Sequence, residues 1–191
     1  MQRVPKRPVS KGMILRIVLI FIGCYFLSLM LWVQIKDHYS YTVIYAASKL
    51  VTLVKDVRFE GLKKEKAHIQ VTFSPVRSMS HLLINIRLGE ADFYTYNTPL
   101  TLAILAALFP FVKRKLRAYG QGLLILIGVH LLLVFSLEAH ILTGTLIERG
   151  VEPANNLRVF AYQFVWRFTE IMIIRFEPFL IGVYVFFRFK R

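Results

Sequence analysis

Three long runs of this sequence contain no charged residue. They cover residues 17–35, 93–112 and 118–137, and each is nineteen or twenty residues long. A helix needs about twenty apolar residues to cross the roughly 30 Å of hydrocarbon in a bilayer. The composition agrees, because 56% of the 191 residues are hydrophobic, which is more than a soluble core of that size buries. The runs therefore predict membrane-spanning helices.

A fourth apolar segment, residues 157–187, is interrupted by charges. We predict that its second part spans the membrane and that its first part is an interfacial helix. The four predicted spans cover residues 13–35, 98–112, 120–138 and 168–187. Five other segments lie outside the bilayer: the ends 1–12 and 188–191, a module at 36–97, a basic turn at 113–119, and an outer loop with the interfacial helix at 139–167.

The module at residues 36–97 mixes nine basic with six acidic residues. Residues 41–54 have the apolar spacing of a helix that extends the first span. Alternating apolar residues predict strands at 57–59, 68–73 and 82–88, with turns at Gly61 and Ser74-Pro75. The predicted fold class is a membrane all-α bundle of about four transmembrane helices, with a small α+β extracytoplasmic module between the first and second spans.

The distribution of charge predicts the orientation of these spans. Residues 1–12, 113–117 and 188–191 contain eleven Lys or Arg and no acid, and all eleven Asp and Glu lie elsewhere. Basic residues near span ends stay in the cytosol, so both termini are expected there. The net charge of +14 is thereby explained by topology. It predicts contact with membrane lipid and no nucleic-acid partner.

Two ionisable residues share the middle of the predicted bilayer, His130 in the third span and Glu177 in the fourth, with Arg175 slightly nearer the outside. A charge at that depth costs about 2.5–3.5 kcal/mol, so such groups normally face the bundle. We predict that His130, Arg175 and Glu177 meet there. They form either a polar clasp that fixes helix register or a site for a proton or ligand.

Pro178 follows Glu177 directly within the predicted fourth span. A proline in a helix has no N–H, which leaves the carbonyl of Ile174 without its usual donor and tends to kink the helix. A kink beside an acid makes a pocket, or it is a bend that a neighbouring helix stabilises.

Residue types that carry catalysis or bind cofactors are sparse in this chain. Cys24 is its only cysteine and lies in an apolar run, where a thiol packs as a small hydrophobe. The five histidines have no metal-ligand spacing, and nucleotide-binding and nucleophile motifs are absent. The sequence therefore predicts no catalytic residue, no metal site and no cofactor.

A short motif opens the second span: Tyr94, Tyr96, Asn97, Pro99 and Leu100. With the order of elements, it resembles the small membrane proteins associated with exosortases, bacterial membrane enzymes that process proteins with C-terminal sorting signals. The resemblance implies a non-catalytic companion of a processing enzyme in the inner membrane of a Gram-negative bacterium. Tyr94, Tyr96, Asn97 and Pro99 are then the candidate surface for a larger membrane protein or complex.

Three functions fit these observations. The first is a non-enzymatic subunit that binds a larger membrane complex for protein sorting, processing, export or envelope assembly. The second is a small transporter or proton-conducting subunit that uses His130, Arg175 and Glu177. The third is a membrane-embedded thiol or acid/base enzyme that uses Cys24 or His130.

Overall fold

The computed structural model describes residues 11–65, 68–76, 82–88 and 95–190. Within these ranges it is mostly helical and contains one three-stranded sheet. The helices are α1 (Lys11–Val54), α2 (Thr98–Ala107), α3 (Lys115–Glu148), α4 (Asn156–Phe168) and α5 (Ile174–Phe189). A π-helical turn, Thr169–Ile173, joins α4 to α5. The strands are β1 (Val57–Glu65), β2 (His68–Pro75) and β3 (Ile84–Leu88).

Helix α1 is continuous over 44 residues, which corresponds to about 66 Å. The predicted first span and the predicted helix at 41–54 are therefore one element. Its N-terminal half leaves large apolar side chains exposed, and none of its most apolar window is buried. Its C-terminal half is buried at Val43, Ile44, Ala47 and Val51. One half of α1 thus suits lipid, and the other half belongs to a packed core.

The sheet is antiparallel, with the strand order β1-β2-β3. Its inner face contributes Val71, Phe73, Ile86 and Leu88 to a core shared with α1 and α3. All three predicted strands are present, but the turn predicted at Ser74-Pro75 was wrong, because both residues pair with β1 at the end of β2. The first is longer than predicted because Gly61 lies at a bulge inside β1, where the pairing register shifts, and not in a turn.

Helix α3 runs far beyond its predicted end at residue 138 and stops only at Glu148. The prediction of a loop from residue 139 was wrong. Ala139, Leu142 and Leu146 are buried against the core, so apolar spacing continues the helix despite the polar residues between them. The turn after α3 contains Gly150 in a left-handed conformation (φ 67°), which is a common way to end a helix.

Helix α2 is shorter than the predicted second span of residues 98–112. It has ten residues, or about 15 Å, and turns follow it as far as residue 114. Pro110 cannot donate a backbone hydrogen bond, so it disfavours continuation of the helix. Within this stretch, Val112 pairs with Lys190, and the Lys113 amide donates to the Phe189 carbonyl at 2.7 Å. The basic turn and the end of α5 therefore lie side by side.

The segment from Asn156 to Phe189 follows one helical path, with no break at the predicted boundary between residues 167 and 168. Helix α5 packs closely on α2 at Gly182. A Cβ atom there would lie 2.6 Å from Cγ2 of Ile104, so only glycine permits this approach.

By length and composition alone, two helical segments among the described residues are able to cross a membrane, Ile14–Val54 and Lys115–Glu148. Helix α2 is apolar but shorter than the length that this criterion requires. These two segments form α1 and α3, which also carry the sheet.

Candidate functional site

Three helices meet at a buried polar cluster formed by Tyr39 of α1, His130 of α3 and Glu177 of α5. His130 Nε2 lies 3.3 Å from Glu177 Oε1, and both side chains are 0% exposed. The Tyr39 hydroxyl lies 2.8 Å from His130 Nδ1. The contact that the sequence predicted between His130 and Glu177 is present. Tyr39 is an addition that sequence reasoning missed, because it lay outside the predicted first span.

The hydrogen bond from Tyr39 influences where the imidazole carries its proton. When the Tyr39 hydroxyl donates to Nδ1, the neutral ring holds its proton on Nε2, facing the carboxylate. The 3.3 Å separation is an ion-pair distance, but its geometry is not that of a hydrogen bond, and among the described residues neither Glu177 oxygen has a hydrogen-bond partner. The contact therefore brings the two side chains together without a hydrogen bond between them.

Arg175 does not join the cluster. Its side chain is exposed, whereas Glu177 is buried. Residues two apart on a helix point in nearly opposite directions, so α5 cannot turn both side chains toward His130. The prediction that Arg175 lies inside the bundle was wrong for this reason.

Asn97, at the start of α2, satisfies a backbone carbonyl of α5 that Pro178 leaves without a helical donor. The carbonyl of Ile174 lacks its usual helical donor because Pro178 has no N–H. The Asn97 side-chain amide donates to this carbonyl at 2.5 Å, and the contact is buried. The sequence predicted the free carbonyl but not its partner, which lies 77 positions away.

The four residues predicted to form the partner surface, Tyr94, Tyr96, Asn97 and Pro99, are not all exposed. Tyr94 lies outside the described residues. Tyr96 is 51% exposed, whereas Asn97 and Pro99 are buried. The Pro99 carbonyl accepts a hydrogen bond from the Ser28 hydroxyl of α1 at 3.1 Å. Asn97 and Pro99 therefore tie α2 to its neighbours, and among the described members Tyr96 alone faces outward.

A second buried acid, Glu138, lies about two turns beyond His130 on α3. It is 0% exposed, and one of its carboxylate oxygens accepts a hydrogen bond from the Ser48 hydroxyl of α1 at 2.8 Å. Sequence analysis placed Glu138 at the last position of the third predicted span and predicted no buried contact for it. The signal for burial was the apolar spacing that continues after it at Ala139 and Leu142.

A partly buried ion pair between Lys55 and Glu152 lies at the end of the molecule that contains the sheet. Lys55, just beyond α1, lies 3.2 Å from a Glu152 carboxylate oxygen, and the lysine side chain is 1% exposed. Burial lowers the pKa of Lys55, and the negative charge of Glu152 opposes this shift. The lysine ammonium also lies over the ring of Tyr162 in α4. These contacts tie the end of α1 to the chain around α4.

The Cys24 thiol lies far from the His130 imidazole. Cys24 lines a groove beside Tyr119 of α3, and His130 lies eleven residues further along that helix, or about 17 Å. Among the described residues, no group of three His, Cys, Asp or Glu side chains is placed to hold a metal ion. The polar groups that the fold does bring together link α1, α2, α3 and α5 to one another.

No curated protein and no solved structure matches the chain significantly. A family model described as exosortase H-associated membrane protein matches residues 8–189. This match covers nearly the whole sequence and agrees with the resemblance seen in the motif of the second span. The chain belongs to the family of exosortase H-associated membrane proteins.

Proposed function

We propose that this protein is a non-catalytic membrane subunit that binds an exosortase and supports protein sorting or processing. One observation carries the proposal: the buried polar side chains of the site are engaged in contacts between helices. Tyr39, His130 and Glu177 connect α1, α3 and α5, and Asn97 connects α2 to α5. Such a pattern suits a rigid scaffold, and the description of the family as exosortase H-associated supports an exosortase as the partner.

We further propose that four segments cross or enter a bacterial inner membrane, with both termini in the cytosol and the sheet outside. The arrangement of basic residues supports this orientation. Arg16 and Lys115 line one groove, and Lys113 pairs with the end of α5. Positive charge from three separate segments thus collects at one end of the molecule, as the positive-inside rule requires.

Cysteine labelling tests this orientation, because Cys24→Ser yields a chain without cysteine. We expect single cysteines at Lys64 and Ala154 to react with a membrane-impermeant maleimide in intact spheroplasts. Cysteines at Arg117 and Lys190 should react only after permeabilisation. Labelling of residue 117 or 190 in sealed spheroplasts would overturn the proposed topology.

Binding to exosortase is tested by co-expressing the tagged full chain with the exosortase of the same organism and purifying it in mild detergent. We expect the two proteins to co-purify. Tyr96→Ala should weaken the complex about tenfold, because Tyr96 is the exposed member of the candidate partner surface and tyrosine is a frequent anchor at interfaces. Tyr41→Ala is the matched control and should leave the complex intact, since Tyr41 is similarly exposed (42%, against 51% for Tyr96) but lies outside that surface. A folded chain that recovers no exosortase would contradict the proposal.

A proton-conducting subunit is the alternative that one observation favours. Both oxygens of the buried Glu177 lack a hydrogen-bond partner among the described residues, and a histidine that can exchange a proton lies beside them. Under this alternative, replacing both residues abolishes function even in a stable protein. The paired substitutions discussed below separate the two functions.

A further inference from the structure

A groove of about 900 Å³ lies between α1, α2 and α3. Its walls are mainly apolar, formed by residues such as Ile17, Leu102, Leu105 and Leu123. Two cations, Arg16 and Lys115, also line it. A groove with apolar walls and positive charge suits a ligand that is both apolar and anionic.

The two cations lie at the same end of the groove. Arg16 is the first lining residue of α1, whose last is Cys24, and Lys115 is the first of α3, whose last is Leu123. Each helix thus contributes a wall about 12 Å long, with its cation at the end that carries the basic turn. The groove therefore has a charged mouth and an apolar interior.

Tyr119 adds a polar donor one turn inside this mouth. Its hydroxyl is buried and has no hydrogen-bond partner among the described residues. The Lys115 ammonium lies 3.4 Å from the centroid of the Phe109 ring, a cation–π contact that holds the charge at the mouth. A ligand with oxygen atoms near its charged end would satisfy the Tyr119 hydroxyl.

We propose that this groove binds one anionic phospholipid, with an acyl chain along the apolar walls and the phosphate between Arg16 and Lys115. Basic pockets between membrane helices on the cytoplasmic side bind anionic lipid headgroups. A zwitterionic lipid binds less well because its own cation opposes the two basic residues. The proposal rests on the membrane location of the protein and not on its binding to exosortase.

Native mass spectrometry of the full chain in detergent tests the proposal by titration with dioleoyl phosphatidylglycerol and dioleoyl phosphatidylcholine. We expect one phosphatidylglycerol per chain, bound about tenfold more tightly than phosphatidylcholine. Arg16→Gln and Lys115→Gln should each weaken its binding about fivefold, the effect of one basic residue near the surface. Arg117→Gln, an exposed cation of the same turn that does not line the groove, should change it less than twofold.

Filling the groove separates acyl-chain binding from headgroup binding. Ala106→Trp should weaken phosphatidylglycerol binding at least tenfold while leaving both cations in place, and Leu123→Phe provides a second filling variant if the first fails to fold. Excess inorganic phosphate should not displace the lipid. Equal binding of the two lipids, an equal effect of Arg117→Gln, displacement by phosphate, or undiminished binding by a folded filled variant would each overturn the proposal.

Discussion

Replacing His130 with leucine should lower the free energy of unfolding by about 3 kcal/mol. The change leaves the fully buried Glu177 carboxylate and the Tyr39 hydroxyl without the imidazole that both of them contact. Removing one partner of a buried polar pair costs more than removing both, because the remaining polar group stays buried without its partner. Glu177→Met should be destabilising for the same reason. Equilibrium unfolding in mixed detergent micelles measures both effects.

The double variant His130→Leu/Glu177→Met distinguishes a polar clasp that fixes helix register from a proton-conducting site. For a clasp, the double variant should be more stable than the sum of the single changes predicts, by about 2 kcal/mol, and it should retain exosortase-dependent processing in cells. A proton site predicts a stable double variant without function. Arg175→Gln is the matched control on α5, and because this side chain is exposed it should change stability by less than about 0.5 kcal/mol.

Replacing Asn97 with alanine should cost about 2 kcal/mol, because the buried carbonyl of Ile174 then loses the side-chain donor that satisfies it. Pro178→Ala restores a backbone N–H that can donate to this same carbonyl. The loss caused by Asn97→Ala should therefore largely disappear in the Pro178→Ala background. Unfolding of the four proteins of this double-mutant cycle measures the coupling directly.

The control for this cycle is Asn85→Ala in β3. Asn85 is also an asparagine in a side-chain hydrogen bond, with Thr72, but it is exposed, so its loss should cost less than about 0.5 kcal/mol. An equal cost of Asn97→Ala with and without Pro178 would show that Asn97 does not act through the Ile174 carbonyl.

The features that sequence analysis predicted depend on local patterns. Alternating residues located the three strands, since one face of the sheet is buried. His130 and Glu177 have matching depths along two apolar segments, and this match predicts the contact that the structure contains. Such inferences succeed because helix rise and strand alternation are fixed by the backbone.

The features that it missed depend on contacts distant in the chain. The polar composition after Glu138 indicated a loop, but burial of Leu142 and Leu146 against the sheet continues α3. Asn97 looked like part of a surface because its acceptor lies on another helix. The error at Arg175 was avoidable, since its spacing of two residues from Glu177 already places the two side chains on different faces.

The length of α1 has a mechanical consequence. Its 44 residues extend about 66 Å, roughly twice the thickness of the hydrocarbon layer, and its far half is packed into the same core as α3 and the sheet. In the topology proposed above, α1 and α3 project together from the bilayer as two rigid helices. They would hold the sheet at a fixed distance from the lipid, and an enzyme bound to the sheet would be held at that same distance.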